Sequence, residues 1–235
     1  MTDVLDVLVI GGGQAGLVMG YHLAERGQRF LILDAGPEIG HAWRSRWDSL
    51  QLFTPAQFDN LPGMPFPAAK DTYPGKDDVA DFLQAYAARF QLPVQLNTTV
   101  ESLTRSDDGY VVTAERDTWK ARQVVVATGP FHTPLIPPIA NDLDAEVTQI
   151  HSVEYRRPQS LAGEKVLVVG AANSGCQIAL ELSATHTVEL AAGQRIPTIP
   201  QRPWAATCGG GRAGSDWTGS RSAPGWETGW PDVTR

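Results

Sequence analysis

The chain has 235 residues and a formal net charge of -7, with a pI near 5.2. It is long enough for one large or two small domains, and its acidic balance argues against nucleic acid or an anionic membrane as the main partner. It carries no apolar run of about eighteen residues and no basic-then-apolar N-terminal segment, which predicts a cytoplasmic protein without a membrane span. Cys176 and Cys208 form neither a disulfide framework nor a C-x-x-C or metal-ligand spacing, so no metal site is expected.

Asp6-Val-Leu-Val-Ile10 is a short apolar run of the kind that forms a buried parallel strand. It leads into Gly11-Gly-Gly-Gln-Ala-Gly16, a G-x-G-x-x-G at Gly11, Gly13 and Gly16, followed by a helical pattern over 17–27. Gly11 allows the tight turn, and Gly13, followed by Gln14 and Ala15, allows backbone to approach a pyrophosphate. Gly16 permits close packing of helix on strand. Phe30-Leu-Ile-Leu33 ends on Asp34, about twenty residues after the glycines, where a carboxylate accepts from ribose hydroxyls. Glycine turns in ordinary βα units imitate the motif alone; strand, glycines, helix, strand and acid in this order point to a dinucleotide.

Residues 35–55 mix glycine and proline with Trp43, Arg44, Arg46 and Trp47. Two readings stand here: an ordered loop over a ligand with arginine meeting phosphate, or core indoles beside a structural ion pair. A proline-punctuated loop follows at 61–67. Val79, Phe82, Leu83, Tyr86 and Phe90 then make a helix-spaced stripe over 77–90. Residues 92–103 and 110–114 read as strands joined through Asp107-Asp-Gly109, and Val124–Ala127 as a buried strand ending in Thr128-Gly129-Pro130. That small-residue turn suits close approach to a flat cofactor, or is a plain tight turn.

The opening logic then repeats. Lys165-Val-Leu-Val-Val169 predicts a strand, Gly170-Ala-Ala-Asn-Ser-Gly175 a turn, and 176–184 a helix, with Ala172 where the middle glycine stood. The next strand, 187–190, meets no acid and runs on to Gly193-Gln-Arg195. A cation in place of a carboxylate points to the 2′-phosphate of NADP, although Arg195 and Arg202 also fit a solvated surface.

Taken in order, several segments resemble the bacterial flavin-containing monooxygenase-like proteins, relatives of the plant auxin-forming monooxygenases. They are Gly11–Gly16, Gly40-x-x-Trp43-Arg44 with Arg46–Leu50 and Phe53–Pro55, Ala127-Thr-Gly129, His151-Ser-x-x-Tyr155-Arg156 and Gly170-x-x-Asn-Ser-Gly175. The resemblance covers residues 1–202. It implies an α/β, three-layer fold of two dinucleotide-binding, Rossmann-like domains, an NADP domain inserted in an FAD domain whose C-terminal part is missing here. The expected boundaries are 1–160 for FAD, 161–202 for the start of the NADP domain, and 203–235 for an aberrant tail. Gly11, Gly13, Gln14, Ala15, Gly16 and Asp34 would hold FAD, Trp43 and Arg44 would flank the flavin, and Thr128 and Gly129 would lie along it. Gly170, Asn173, Ser174, Gly175 and Arg195 would hold NADPH. Ala145 and Val147 replace the phenylalanine and glycine of the family's F-x-G-x-x-x-H-x-x-x-[FY] fingerprint, leaving His151 and Tyr155.

The activity so implied is monooxygenation, with oxygen passed from a C4a-peroxyflavin to a small nucleophilic or carbonyl substrate and dioxygen as co-substrate. No side chain is required as acid, base or nucleophile. Gln57 and Asn60 lie in the corresponding loop as candidates to meet the peroxide, or are ordinary loop polars. The alternatives are a non-catalytic nucleotide-binding fragment and a flavin disulfide reductase, the latter disfavoured without a paired cysteine motif. Neither substrate identity nor oligomeric state is legible.

From Pro203 the composition breaks: the last 33 residues contain no Leu, Ile, Met or Phe, but seven glycines and four of the seven tryptophans. Four tryptophans fit a disordered tail poorly. A slipped reading frame near Pro203 in GC-rich coding sequence accounts for them better, and predicts that the return to the FAD domain is lost.

Overall fold

The computed structural model describes residues 4–115, 117–130 and 133–193. Arg195, Arg202 and the stretch 203–235, with the frame slip expected there, lie outside the described residues.

The central strand is β1 (Leu5–Ile10), which is followed by the helix α1 (Gln14–Glu25) and the parallel neighbour β2 (Phe30–Leu33). α1 starts earlier than the 17–27 periodicity suggests, because the helix opens on the polar Gln14 directly after the glycine turn. A one-turn helix α2 (His41–Arg44) and the long α3 (Lys76–Arg89) come next, then β3 (Val94–Gln95), β4 (Val100–Ser106), β5 (Gly109–Ala114) and β6 (Thr118–Val126). Together these make a six-stranded sheet in the order β3-β2-β1-β6-β5-β4. β3, β2, β1 and β6 run parallel, and β6, β5 and β4 form an antiparallel meander.

The run read as one strand over 92–103 is two strands in different ladders. Asn97 breaks it with a positive φ of 51°, and Thr98 donates its amide to the Asp34 carbonyl (2.8 Å) as the chain crosses the end of β2. β6 begins six residues before the apolar run that signalled it, since residues 118–120 pair only with β5 and need no continuous apolar face.

Three layers result. Val7, Val9, Leu17 and Ile32 pack with Val79, Phe82, Leu83 and Tyr86 of α3 on one side of the sheet. Leu8, Ile10 and Leu33 meet Val112, Ala121 and Trp119 of the meander on the other. Burying each such Leu, Ile or Phe contributes about 1.5–3 kcal/mol, which explains why β1 and β2 are near-continuously apolar. The expected α/β, Rossmann-like, three-layer class is borne out.

A second sheet pairs β7 (Lys165–Val169) with β8 (Thr187–Ala191) in parallel through the helix α4 (Asn173–Leu182). No ladder joins it to the first sheet among the described residues. It is tied instead by a third core, in which Ile178 and Leu182 of α4 meet Trp47, Leu50 and Tyr155. No helix among the described residues is long and apolar enough to cross a membrane.

Candidate functional site

The first glycine turn sits at the C-terminal end of β1, where parallel sheets place their ligands. Gly11 has φ +109°, and a Cβ there would lie 2.3 Å from the Ala127 carbonyl oxygen, so only glycine lets the turn pass the end of β6. A Cβ on Gly16 would lie 1.8 Å from the Gly11 carbonyl oxygen, so helix and turn touch backbone to backbone. Gly13 is different: its φ is -77° and a Cβ there would meet nothing within 4 Å. No packing demand of the chain requires glycine at 13; it keeps open the space in front of a helix N-terminus. α1 has no side-chain cap and no acid in its first turn. Gly13, Gln14 and Ala15 are exposed there. Unpartnered N–H groups at the positive end of a helix are what a pyrophosphate needs, so the residues present fit such a group.

Asp34 closes the site from β2. One carboxylate oxygen accepts the Gly12 amide at 2.6 Å and the other accepts the Gly36 amide at 2.8 Å. A carboxylate has about four acceptor positions, so two lone pairs stay available for ribose hydroxyls. The turn after β6 completes this end: Ala127 donates to the Ile10 carbonyl at 2.7 Å, Gly129 has φ +72°, and both Thr128 and Gly129 are exposed. Gly12 and Gly36 were missed in the sequence. The Asp34-Ala-Gly36 spacing, which forms an Asx-type turn, was the signal available for the second.

The second turn repeats the first closely. The Gly170 amide donates to the Ala191 carbonyl (2.9 Å) as that of Gly11 does to Leu33 (2.7 Å). A Cβ on Gly175 would again lie 1.8 Å from its partner carbonyl, that of Gly170. Ala172 holds φ -78° and ψ -179°, against -77° and -171° at Gly13, so its methyl costs no backbone strain and only narrows the cradle. Asn173 and Ser174 are exposed at the uncapped start of α4. β8 ends in Ala191-Ala-Gly193 with no counterpart of Asp34.

Helix α2 and the loop after it carry the aromatics and arginines of this segment. Trp47 is buried, 3 % exposed, and its Nε1 has no hydrogen-bond partner. Trp43 is half-buried and touches both the α3 core and the α4 core. The Arg44 guanidinium lies 2.5 Å from Asp81, 3.3 Å from Glu38 and 3.7 Å from Asp77. The bond to Asp81 raises its pKa above the usual arginine value. It is the structural ion pair, not a free cation. Burial and the neighbouring Arg156 push the Arg46 guanidinium the other way.

Gln57 and Asn60 spend both ends of their amides locally. Gln57 donates to the Asp71 carboxylate and accepts the Asp71 amide, each at 2.9 Å. Asn60 donates to the Gln57 carbonyl and accepts the Phe66 amide, each at 2.8 Å. These bonds pin the 57–71 loop.

Residues 8–199 match the family model for pyridine nucleotide-disulphide oxidoreductases. The chain belongs to that family. Among curated proteins, the chain is similar to a CzcO-like oxidoreductase of Geobacillus kaustophilus, 48% identical over 200 residues covering 85% of this chain and 58% of that protein. The rice indole-3-pyruvate monooxygenase YUCCA1 is 34% identical over 192 residues, covering 77% and 46%. Among solved structures, a flavin-containing monooxygenase from Stenotrophomonas maltophilia is 36% identical with a TM-score of 0.74, covering 83% of this chain and 59% of that one. A bacillithiol disulfide reductase from Staphylococcus aureus, 21% identical with a TM-score of 0.70, shares the fold. The resemblance to flavin monooxygenase-like oxidoreductases is thus borne out. The chain spans a little over half the length of the bacterial relatives it matches, 58% of the first and 56% of CzcO from Bacillus subtilis.

Proposed function

We propose that this chain carries the two nucleotide sites of an FAD-dependent, NADPH-using monooxygenase-like oxidoreductase that acts with dioxygen on a small nucleophilic or carbonyl substrate. The observation that carries the reading is the pair of matching glycine turns: one open at Gly13 and closed by the Asp34 carboxylate, the other lacking a carboxylate at the end of its second strand. A carboxylate favours the unphosphorylated ribose of FAD, and its absence admits the 2′-phosphate of NADPH.

Gly11, Gly13, Gln14, Ala15 and Gly16 present backbone to the FAD pyrophosphate, and Asp34, held by Gly12 and Gly36, accepts from its ribose. Thr128 and Gly129 lie along FAD, and Trp43 flanks the flavin. Arg44 braces the loop carrying Trp43 through its three carboxylates. Gly170, Asn173, Ser174 and Gly175 receive NADPH, with Arg195 as the 2′-phosphate partner. When bound, the flavin supplies the redox chemistry, taking hydride from the nicotinamide and activating dioxygen. The protein's own work is to bind, orient and exclude water.

A second reading, nucleotide binding without turnover, draws on the exposed Leu167 and Val169 of β7, a strand with a single neighbour among the described residues. NADPH consumption by the FAD-loaded chain in air, with amine, sulfide and ketone panels and mass detection of oxygenated product, separates the two. Loss of NADPH with product supports the first, and FAD binding without NADPH loss supports the second.

A further inference from the structure

The two sheets share no strand ladder among the described residues, so the angle between the two glycine turns rests on loop and side-chain contacts. One cluster provides the link. Tyr155, 2 % exposed, donates its hydroxyl to the Glu181 carboxylate in the last turn of α4 at 2.7 Å. Around this bond Trp47, Leu50, Ile178 and Leu182 close an apolar core. The Asp48 amide donates to the Arg156 carbonyl at 2.8 Å, which ties the segment carrying Tyr155 to the loop after α2, and the Gln177 side-chain amide donates to the Gln51 carbonyl of that loop at 3.1 Å. Trp43 continues the path into the core beneath α1 and α3, and Arg44 fastens the same loop to α3. α4 begins on the second glycine turn, so whatever fixes its far end fixes the direction of that turn.

We propose that Tyr155 is a positioning residue, whose hydroxyl on Glu181 locks the β7–α4–β8 unit at one orientation to the first glycine turn. The consequence for hydride transfer rests on the two-nucleotide reading above; the mechanical role does not. The phenol's buried setting, with Glu181 and Asp48 nearby, raises its pKa far above the usual tyrosine value, so it remains a donor throughout the working pH range. Glu181 is the acceptor, and among the described residues no salt bridge draws it away from this bond.

The test compares Tyr155→Phe, which keeps the ring and the core, with Glu181→Gln, which keeps an acceptor oxygen. Two readouts are taken on the whole chain. In hydrogen exchange, Y155F accelerates the Asp48 amide and the 151–156 segment about tenfold, leaving the Gly11 and Ile32 amides of the first turn and sheet unchanged, and E181Q stays near the parent. In anaerobic stopped flow, Y155F leaves FAD absorbance and NADPH affinity intact but lowers the limiting rate of flavin reduction about tenfold, again spared in E181Q. Unchanged exchange at Asp48, or an equal acceleration throughout the chain, overturns the proposal. Localised exchange in a chain whose parent never reduces flavin upholds the lock and removes the NADPH reading instead.

Discussion

Gly13→Ala separates the nucleotide-binding account from a purely structural one. Gly13 has a backbone conformation open to any residue, and an added Cβ meets nothing within 4 Å. The substitution reduces unfolded-chain entropy, worth about 0.4–1 kcal/mol in favour of folding, against a comparable loss of N-cap preference. Net stability therefore stays within about 1 kcal/mol of the parent. A pyrophosphate approaching the exposed amides meets the new methyl, and losing one hydrogen bond to a charged group costs about 1.5–3 kcal/mol, or roughly 10- to 150-fold in Kd. Gly16→Ala is the contrasting control: its Cβ would lie 1.8 Å from the Gly11 carbonyl oxygen, with backbone on both sides. Such a clash forces the helix off the strand at a cost of at least about 3 kcal/mol. Urea unfolding of the apo chain, with FAD titration by fluorescence quenching, reads both quantities. A G13A chain that binds FAD as the parent does would refute the cradle, and so would one as destabilised as G16A.

Three further outcomes follow from the same geometry. Ala172→Gly widens the second cradle without touching the chain and tightens NADPH binding severalfold at unchanged FAD affinity, measured by titration; equal or weaker binding contradicts the placement of NADPH there. Asp34→Asn leaves one of the Gly12 and Gly36 amides facing a donor, costing about 1–3 kcal/mol in urea unfolding and most of the FAD affinity. Tyr86, pushed up to about 12 by burial with Tyr21 and Glu25 nearby, holds its proton more tightly folded than unfolded. Its contribution is complete below pH 10 and is lost as pH rises toward 12, on the order of 3 kcal/mol by linkage. Tyr86→Phe should flatten that alkaline fall, and an unchanged fall would assign it to other groups.

Most of the first site was legible because its determinants are local. β1, the glycines, β2 and Asp34 lie within one βαβ stretch, where periodicity and glycine spacing map directly onto the turn. The second turn was legible by repetition, even with Ala172 in it. The fate of Arg44 was not, since Asp77 and Asp81 sit on a helix more than thirty residues away and nothing local distinguishes a braced arginine from a phosphate ligand. Trp47 and Tyr155 were equally opaque. Their burial depends on α4 docking against both, a contact between segments separated by an entire sheet. The split of 92–103 into β3 and β4 turned on Asn97, a single left-handed residue inside an otherwise strand-like run.

The most direct measurement is the visible spectrum of the purified chain with FAD, before and after NADPH is added without oxygen. The account predicts a yellow protein whose flavin band bleaches, with FAD uptake weakened in Gly13→Ala and bleaching reached at lower NADPH in Ala172→Gly. A chain that stays colourless after reconstitution with FAD would contradict the first site, and one that stays yellow with saturating NADPH would contradict the second.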